Sequence, residues 1–149
     1  MHFREATLAD IPQLMEIRFS VTENVLSDPA LLPAEAYVLY LTERGKGWVC
    51  EAGPGQLLGF AIADVLGHNI WALFVRPGYE GQRIGQRLQQ LMLDWYFSQT
   101  RETVWLGTAP GTRAETFYRR TGWRQTGLRA NGEVGFEMTA QDWQRLTKA

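Results

Sequence analysis

The spacing of apolar positions changes several times along the chain, and each change marks an element. HFREA, residues 2–6, reads as a short first strand. Thr7 and Asp10 form the S/T-x-x-D/E signature of a helix start, and Ile11, Leu14, Met15 and Ile17 follow at helical spacing. NVLSDP, residues 24–29, is expected to be a loop. Pro33 suits the first turn of a second helix that places Tyr37, Tyr40 and Leu41 on one face and ends near Gly45.

The period then shortens. Residues 47–52 and 57–65 flank Gly53-Pro54-Gly55, a strong turn signal, and predict an antiparallel hairpin. A turn at Gly67-His68-Asn69, with His68 exposed, leads into IWALFV (70–75), so apolar that it belongs at the centre of a sheet. A glycine-bearing loop opens a helix with Ile84, Leu88, Leu91, Met92 and Trp95 on one side. TVWLGT (103–108) is another buried strand. Thr112 and Glu115 form a capping box, and Gly122 suits that helix's end. Strands at 123–128 and 134–139 close the order. No repeat, low-complexity tract or linker interrupts it, so residues 1–149 are expected to be one domain. The class is α+β (mixed α/β), a mixed sheet with helices on both faces.

Composition narrows the function. With 45% hydrophobic and 21% charged residues the chain is neither disordered nor fibrous. A net charge of −1 argues against a nucleic-acid partner. No apolar run is long enough to span a membrane, and the first residues do not form a secretory signal. A cytoplasmic protein without a membrane partner is therefore expected. One cysteine, Cys50, and two distant histidines, His2 and His68, offer neither a disulfide nor a metal site. Six tryptophans are many for this length; most are expected in the core, with one or two lining an acceptor pocket or a homodimer seam.

The candidate chemistry lies in FVRPGYEGQRIGQRLQQLM, residues 74–92. A loop holding Gly78 and Gly81, with Gly85 just inside the helix, leaves backbone N–H groups unpaired at a helix start. That end attracts anions. Arg76, Arg83 and Arg87 add positive charge. The loop lacks the G-K-[ST] ending of a P-loop and the G-x-G-x-x-G of a dinucleotide fold. Taken alone, it fits a phosphate cradle or a tight structural turn equally well.

Two motifs in sequence break the tie. The strand ending in Val75 and Pro77, the run Glu80-Gly81-Gln82-Arg83-Ile84-Gly85, and the later Ala114, Tyr118, Gly122 and Trp123 together resemble the GNAT superfamily of acetyl-CoA-dependent N-acetyltransferases. The specific motifs fall within residues 70–123; the element order is similar throughout. The match departs from the family pattern at Glu80, where Arg or Gln is usual, and at Arg83, where a glycine is usual. Glu80 is expected to point away from the site, and Arg83 to take an ordinary helical φ. Gly111 stands where many relatives have asparagine, with Thr112 as its substitute.

The resemblance implies a mostly antiparallel sheet of about seven strands, splayed between 70–75 and 103–108. It implies acetyl-CoA as cosubstrate, bound through Leu73, Phe74, Val75, Gly81, Gln82, Arg83, Ile84, Gly85, Gln86, Thr112 and Tyr118, with no metal. The acetyl group goes directly to a primary amine of a small molecule, peptide or protein, in a ternary complex. Tyr118 is the implied acid for the departing thiolate; a packed aromatic is the alternative. Cys50, mid-strand with no histidine beside it in sequence, is not expected to carry the acyl group. Many relatives place a glutamate on the strand before the loop, but IWALFV has no ionisable residue. Glu23, Asp28, Asp64 and Glu137 are the candidate bases. Two other functions compete: a non-catalytic acyl-CoA sensor and a nucleotide-binding regulator.

Overall fold

Alternate residues of two long strands face opposite ways, and both sets are buried. This decides the architecture. In the computed structural model, which describes residues 1–21 and 33–148, Trp48, Cys50, Leu58 and Ala61 join one core while Val49, Leu57, Phe60 and Ile62 join another. A sheet buried on both faces needs helices on both.

The chain runs β1 (His2–Glu5), a 3₁₀ turn (Leu8–Asp10), α1 (Ile11–Ser20), α2 (Ala34–Leu39), a π turn (Tyr40–Arg44), β2 (Gly45–Gly53), β3 (Gln56–Asp64) and β4 (Asn69–Val75). It continues through α3 (Ile84–Gln99), β5 (Val104–Thr108), α4 (Arg113–Arg120), β6 (Arg124–Leu128), β7 (Val134–Met138) and α5 (Ala140–Thr147). The seven strands lie in the order β1-β2-β3-β4-β5-β7-β6. All neighbours are antiparallel except β4 and β5. The α+β class and the mostly antiparallel sheet are as expected.

Helix α3 supplies Ile84, Leu88, Met92, Leu93 and Tyr96 to the first core, with Tyr118 from α4 and Trp143 from α5. Helix α1 supplies Ile11, Leu14 and Ile17 to the second, with Tyr37 from α2. Each fully buried large apolar side chain contributes about 1.5–3 kcal/mol. Thr7 and Asp10 form the expected capping box, but it opens the 3₁₀ turn rather than α1 itself. Helix α5 is an addition to the predicted order. It is capped by Thr139, whose hydroxyl accepts the Asp142 N–H at 3.0 Å. Asp142 also accepts from Arg124 at 2.7 and 2.9 Å, which ties α5 to β6. The expected loop at 24–29 lies outside the described residues, as do Glu23 and Asp28. Among the described residues no helix is long and apolar enough to cross a membrane.

Candidate active site

Strands β4 and β5 pair through one residue pair, Asn69 with Trp105, held by the Trp105 N–H on the His68 carbonyl at 2.9 Å. Beyond it they part, while β5 stays paired with β7 over five residues. The expected splay is therefore present, and two cavities open along it. A smaller one of about 170 Å³ is bounded by Ile70–Phe74 of β4 and Leu106–Thr108 of β5. A larger one of about 990 Å³ lies between the end of β4, the start of α3 and one face of α4. Leu73, Phe74, Ala114 and Tyr118 line both.

The larger cavity takes in the start of α3. Of the residues the sequence proposes for cofactor contact, Leu73, Phe74, Val75, Gly81, Arg83, Ile84, Gly85, Gln86, Thr112 and Tyr118 line it. Gln82 is absent from that wall. A 16-residue helix starting at Ile84 leaves its first amides without intrahelical partners and aims the positive end of its dipole into the cavity. Gly81 has φ +81°, a conformation that glycine takes at little cost.

Arg83 corrects the sequence reading. It has φ +64° rather than an ordinary helical value, and it forms the N-cap of α3 without a side-chain cap. The chain must reverse from loop to helix at this residue. The left-handed conformation, which a glycine would adopt freely, is imposed on an arginine. The other cations are corrected too. Arg76 donates to the Leu57 carbonyl at 3.1 Å and pairs with Glu16 at 2.8 Å; Arg87 donates to Gln90 at 2.9 Å. Neither lines the cavity, whereas Arg113 and Arg120 of α4 do. Sequence spacing from the glycines could not find these two, because only the packing of α4 across the cleft brings them there.

Glu80 lines the cavity yet is turned back onto its own loop, where its carboxylate accepts the Gly78 N–H at 2.8 Å. Bonds from backbone N–H groups, its own first and then that of Gly78, hold its carboxyl below the usual range. Thr112 caps α4 by accepting the Glu115 N–H at 3.3 Å, and its hydroxyl donates to the Ala109 carbonyl at 2.8 Å. Glu115 completes the cap one residue early, on the Gly111 N–H at 2.8 Å. Helix α4 ends as expected, with Gly122 at φ +97°.

Tyr118 is thus carried by a helix fixed at both ends. Its ring packs edge-on against Trp123 and Phe117 at 5.6 and 5.4 Å between centroids. Burial raises its phenol above the ordinary value, so it stays protonated at any working pH. Cys50 is fully buried in β2, and burial pushes its thiol up as well.

Two base candidates are placed elsewhere. Asp64 is buried, ion-paired to Arg44 at 3.0 Å, and accepts N–H groups of Leu66 and Gly67. Glu137 sits in β7 opposite Trp105 and Arg124. Neither lines either of the two cavities. His68 is half-buried, not exposed, and its Nδ1 lies 3.0 Å from the Tyr96 hydroxyl. The carboxylate that does line the smaller cavity is Glu133, which the sequence reading missed. Among the described residues no group of three His, Cys, Asp or Glu side chains could hold a metal.

Comparison with known proteins agrees with this geometry. The sequence model described as "Acetyltransferase (GNAT) family" matches residues 11–123. No curated protein sequence matches the chain. Among solved structures, a GNAT-family acetyltransferase from Staphylococcus aureus superposes with a TM-score of 0.80 at 18% identity, covering 93% of this chain and 98% of its own. A ribosomal-protein-alanine N-acetyltransferase from Brucella melitensis gives 0.74 at 22% identity, covering 93% and 99%. An N-acetyltransferase from Thermoplasma acidophilum in complex with coenzyme A gives 0.77 at 13% identity, covering 93% and 98%. At these identities the likenesses establish the fold.

Proposed function

Because the chain belongs to the GNAT acetyltransferase family, we propose that it transfers the acetyl group of acetyl-CoA directly to a primary amine of a small molecule or peptide. The observation that carries this reading is that the two cavities share Leu73, Phe74, Ala114 and Tyr118. A donor lying in the larger one and an acceptor entering the smaller one would meet at those residues.

The groove fits an acyl-CoA in its chemistry. The amides of α3 and the guanidinium of Arg83 suit a pyrophosphate. Leu73, Phe74 and Val75 offer the splayed edge of β4 to an extended arm, with backbone groups that β5 does not reach. A backbone N–H near Phe74 or Val75 would polarise the thioester carbonyl. Tyr118 would donate to the departing thiolate, and its raised pKa keeps that proton available.

The test is a thiol-release assay with acetyl-CoA and a broad panel of primary amines. Release that depends on the amine supports acetyl transfer. Tight binding of coenzyme A without amine-dependent release would instead make the chain an acyl-CoA sensor, and a preference for ATP would make it a nucleotide-binding regulator.

A further inference from the structure

The smaller cavity has a character of its own. An apolar cavity of about 150 Å³ is enough to bind benzene, and this one is about 170 Å³. Its aromatic wall is already assembled. Trp71 stacks on Tyr40 at 4.3 Å between centroids with 14° between the planes, and Tyr37 meets it edge-on at 5.0 Å. Tyr37, Trp71, Ile70 and Leu106 give it one apolar side, while Arg18, Thr108 and Glu133 make the rest polar.

Among the described residues that line this cavity, one carries a negative charge, Glu133. Its position is built. At the end of the turn, directly before β7, its N–H donates to Asn131 Oδ1 at 3.0 Å, and its Oε1 accepts from Asn131 Nδ2 at 2.8 Å. Its carbonyl accepts the Arg129 N–H at 2.7 Å. No described residue donates a hydrogen bond to Oε2. The carboxylate occupies space that a side chain on β5 would take: a Cβ at Gly107 would come within 2.6 Å of Oε1. Gly107 therefore admits the carboxylate to the cleft.

We propose that Glu133 receives the acceptor's amine, and that the acceptor is a monoamine with a compact apolar or aromatic body seated against Trp71. The inference rests on amine acetylation as proposed above. Arg18 lines the same cavity, its guanidinium 4.5 Å from the centre of the Phe74 ring. At about 170 Å³ the seat holds a body of roughly benzene's size, so the long chain of a polyamine fits poorly.

The protons balance. Glu133 takes one proton from the ammonium and releases it to solvent. The freed lone pair attacks the thioester carbonyl carbon, forming C–N, and the C–S pair leaves on sulfur. The second nitrogen proton replaces the one that Tyr118 gives to that thiolate. Among the described residues, the charged and titratable groups around Glu133 are Arg18 of α1, Tyr37 of α2, Tyr118 of α4 and Arg129 of the β6–β7 turn.

The experiment compares phenethylamine, isoamylamine and spermidine as acceptors for the full chain and its Glu133→Gln variant, following thiol release across pH. The Gln side chain can keep the Asn131 bond, and an unchanged melting temperature checks the fold. For the unaltered chain, both monoamines are expected to outpace spermidine. The variant should lose roughly 10²–10⁴-fold in kcat/KM on them and bind coenzyme A unchanged by calorimetry. Variant activity within about tenfold of the unaltered chain's, below the usual range for a general base, or faster turnover of spermidine, overturns the proposal while leaving acetyl transfer intact. Absence of thiol release with every amine overturns both.

Discussion

A Cβ placed on Gly85 would sit 3.7 Å from the Phe117 ring and 3.7 Å from the Val75 side chain, in ordinary contact with both walls of the larger cavity. Neither neighbour needs a glycine there, and Gly85 lies within helix α3. Gly85→Ala is therefore expected to stabilise the fold by about 0.5–1 kcal/mol, because alanine is the better helix former. The added methyl group intrudes on the cavity floor, so coenzyme A should bind roughly tenfold more weakly. Melting temperature and affinity should move in opposite directions; a loss in both would make Gly85 structural, and an unchanged affinity would take it off the cofactor's path. Gly81 is a poorer probe, since φ +81° strains any side chain placed there.

Arg83→Gly separates strain from charge. Removing the side chain from φ +64° should gain about 1 kcal/mol of stability. If its guanidinium meets the cofactor's phosphates, affinity should fall roughly three- to tenfold, and the salt dependence of binding should flatten. Unchanged affinity at low salt would remove Arg83 from the phosphate site.

Tyr118→Phe keeps the ring and its packing on Trp123 and Phe136. Because burial holds the phenol above the ordinary value of about 10, proton transfer to a thiolate is uphill and its help is modest. The variant should lose roughly ten- to a hundredfold in kcat, at or below the usual range for a general acid, with little change in coenzyme A affinity. The unaltered chain should show no alkaline limb from this group below about pH 10. An unchanged kcat would return Tyr118 to the core.

Much of this arrangement was readable from local signals. Gly53-Pro54-Gly55 marks a hairpin, Thr112 and Gly122 bound α4, and the loop from Gly78 to Gly85 announces a helix start. Helix α5 had its own signal, Thr139 with Asp142 three residues on, but only eight residues in which to show a period. Glu133 was not readable. It lies in a turn, and only the pairing of β7 with β5 places it above Gly107. The φ of Arg83 was hidden for a related reason: backbone conformation at a loop-to-helix junction is set by where strand and helix must go, not by the residue that occupies it.

The tie between α5 and the sheet has a pH signature. Arg124 first, then Arg145, hold the Asp142 carboxyl at about 2, below the ordinary Asp value of about 3.9. A depressed carboxyl contributes stability that is fully present above its unfolded pKa and is lost as pH falls through the folded one. Asp142→Asn should therefore be less stable than the unaltered chain at neutral pH, with the gap closing between about pH 4 and pH 2. Chemical denaturation across that range checks it; a gap independent of pH would mean that the loss is one of packing.

The central claim is that acetyl passes from coenzyme A to an amine without resting on the protein. Its most direct measurement is mass spectrometry after incubation with acetyl-CoA labelled in the acetyl group, with and without the best amine. The label is expected on the amine nitrogen, in step with thiol release, and none on the protein, including the buried Cys50. Label left on coenzyme A or released as acetate at the same rate with and without amine, or a labelled Cys50, would contradict it.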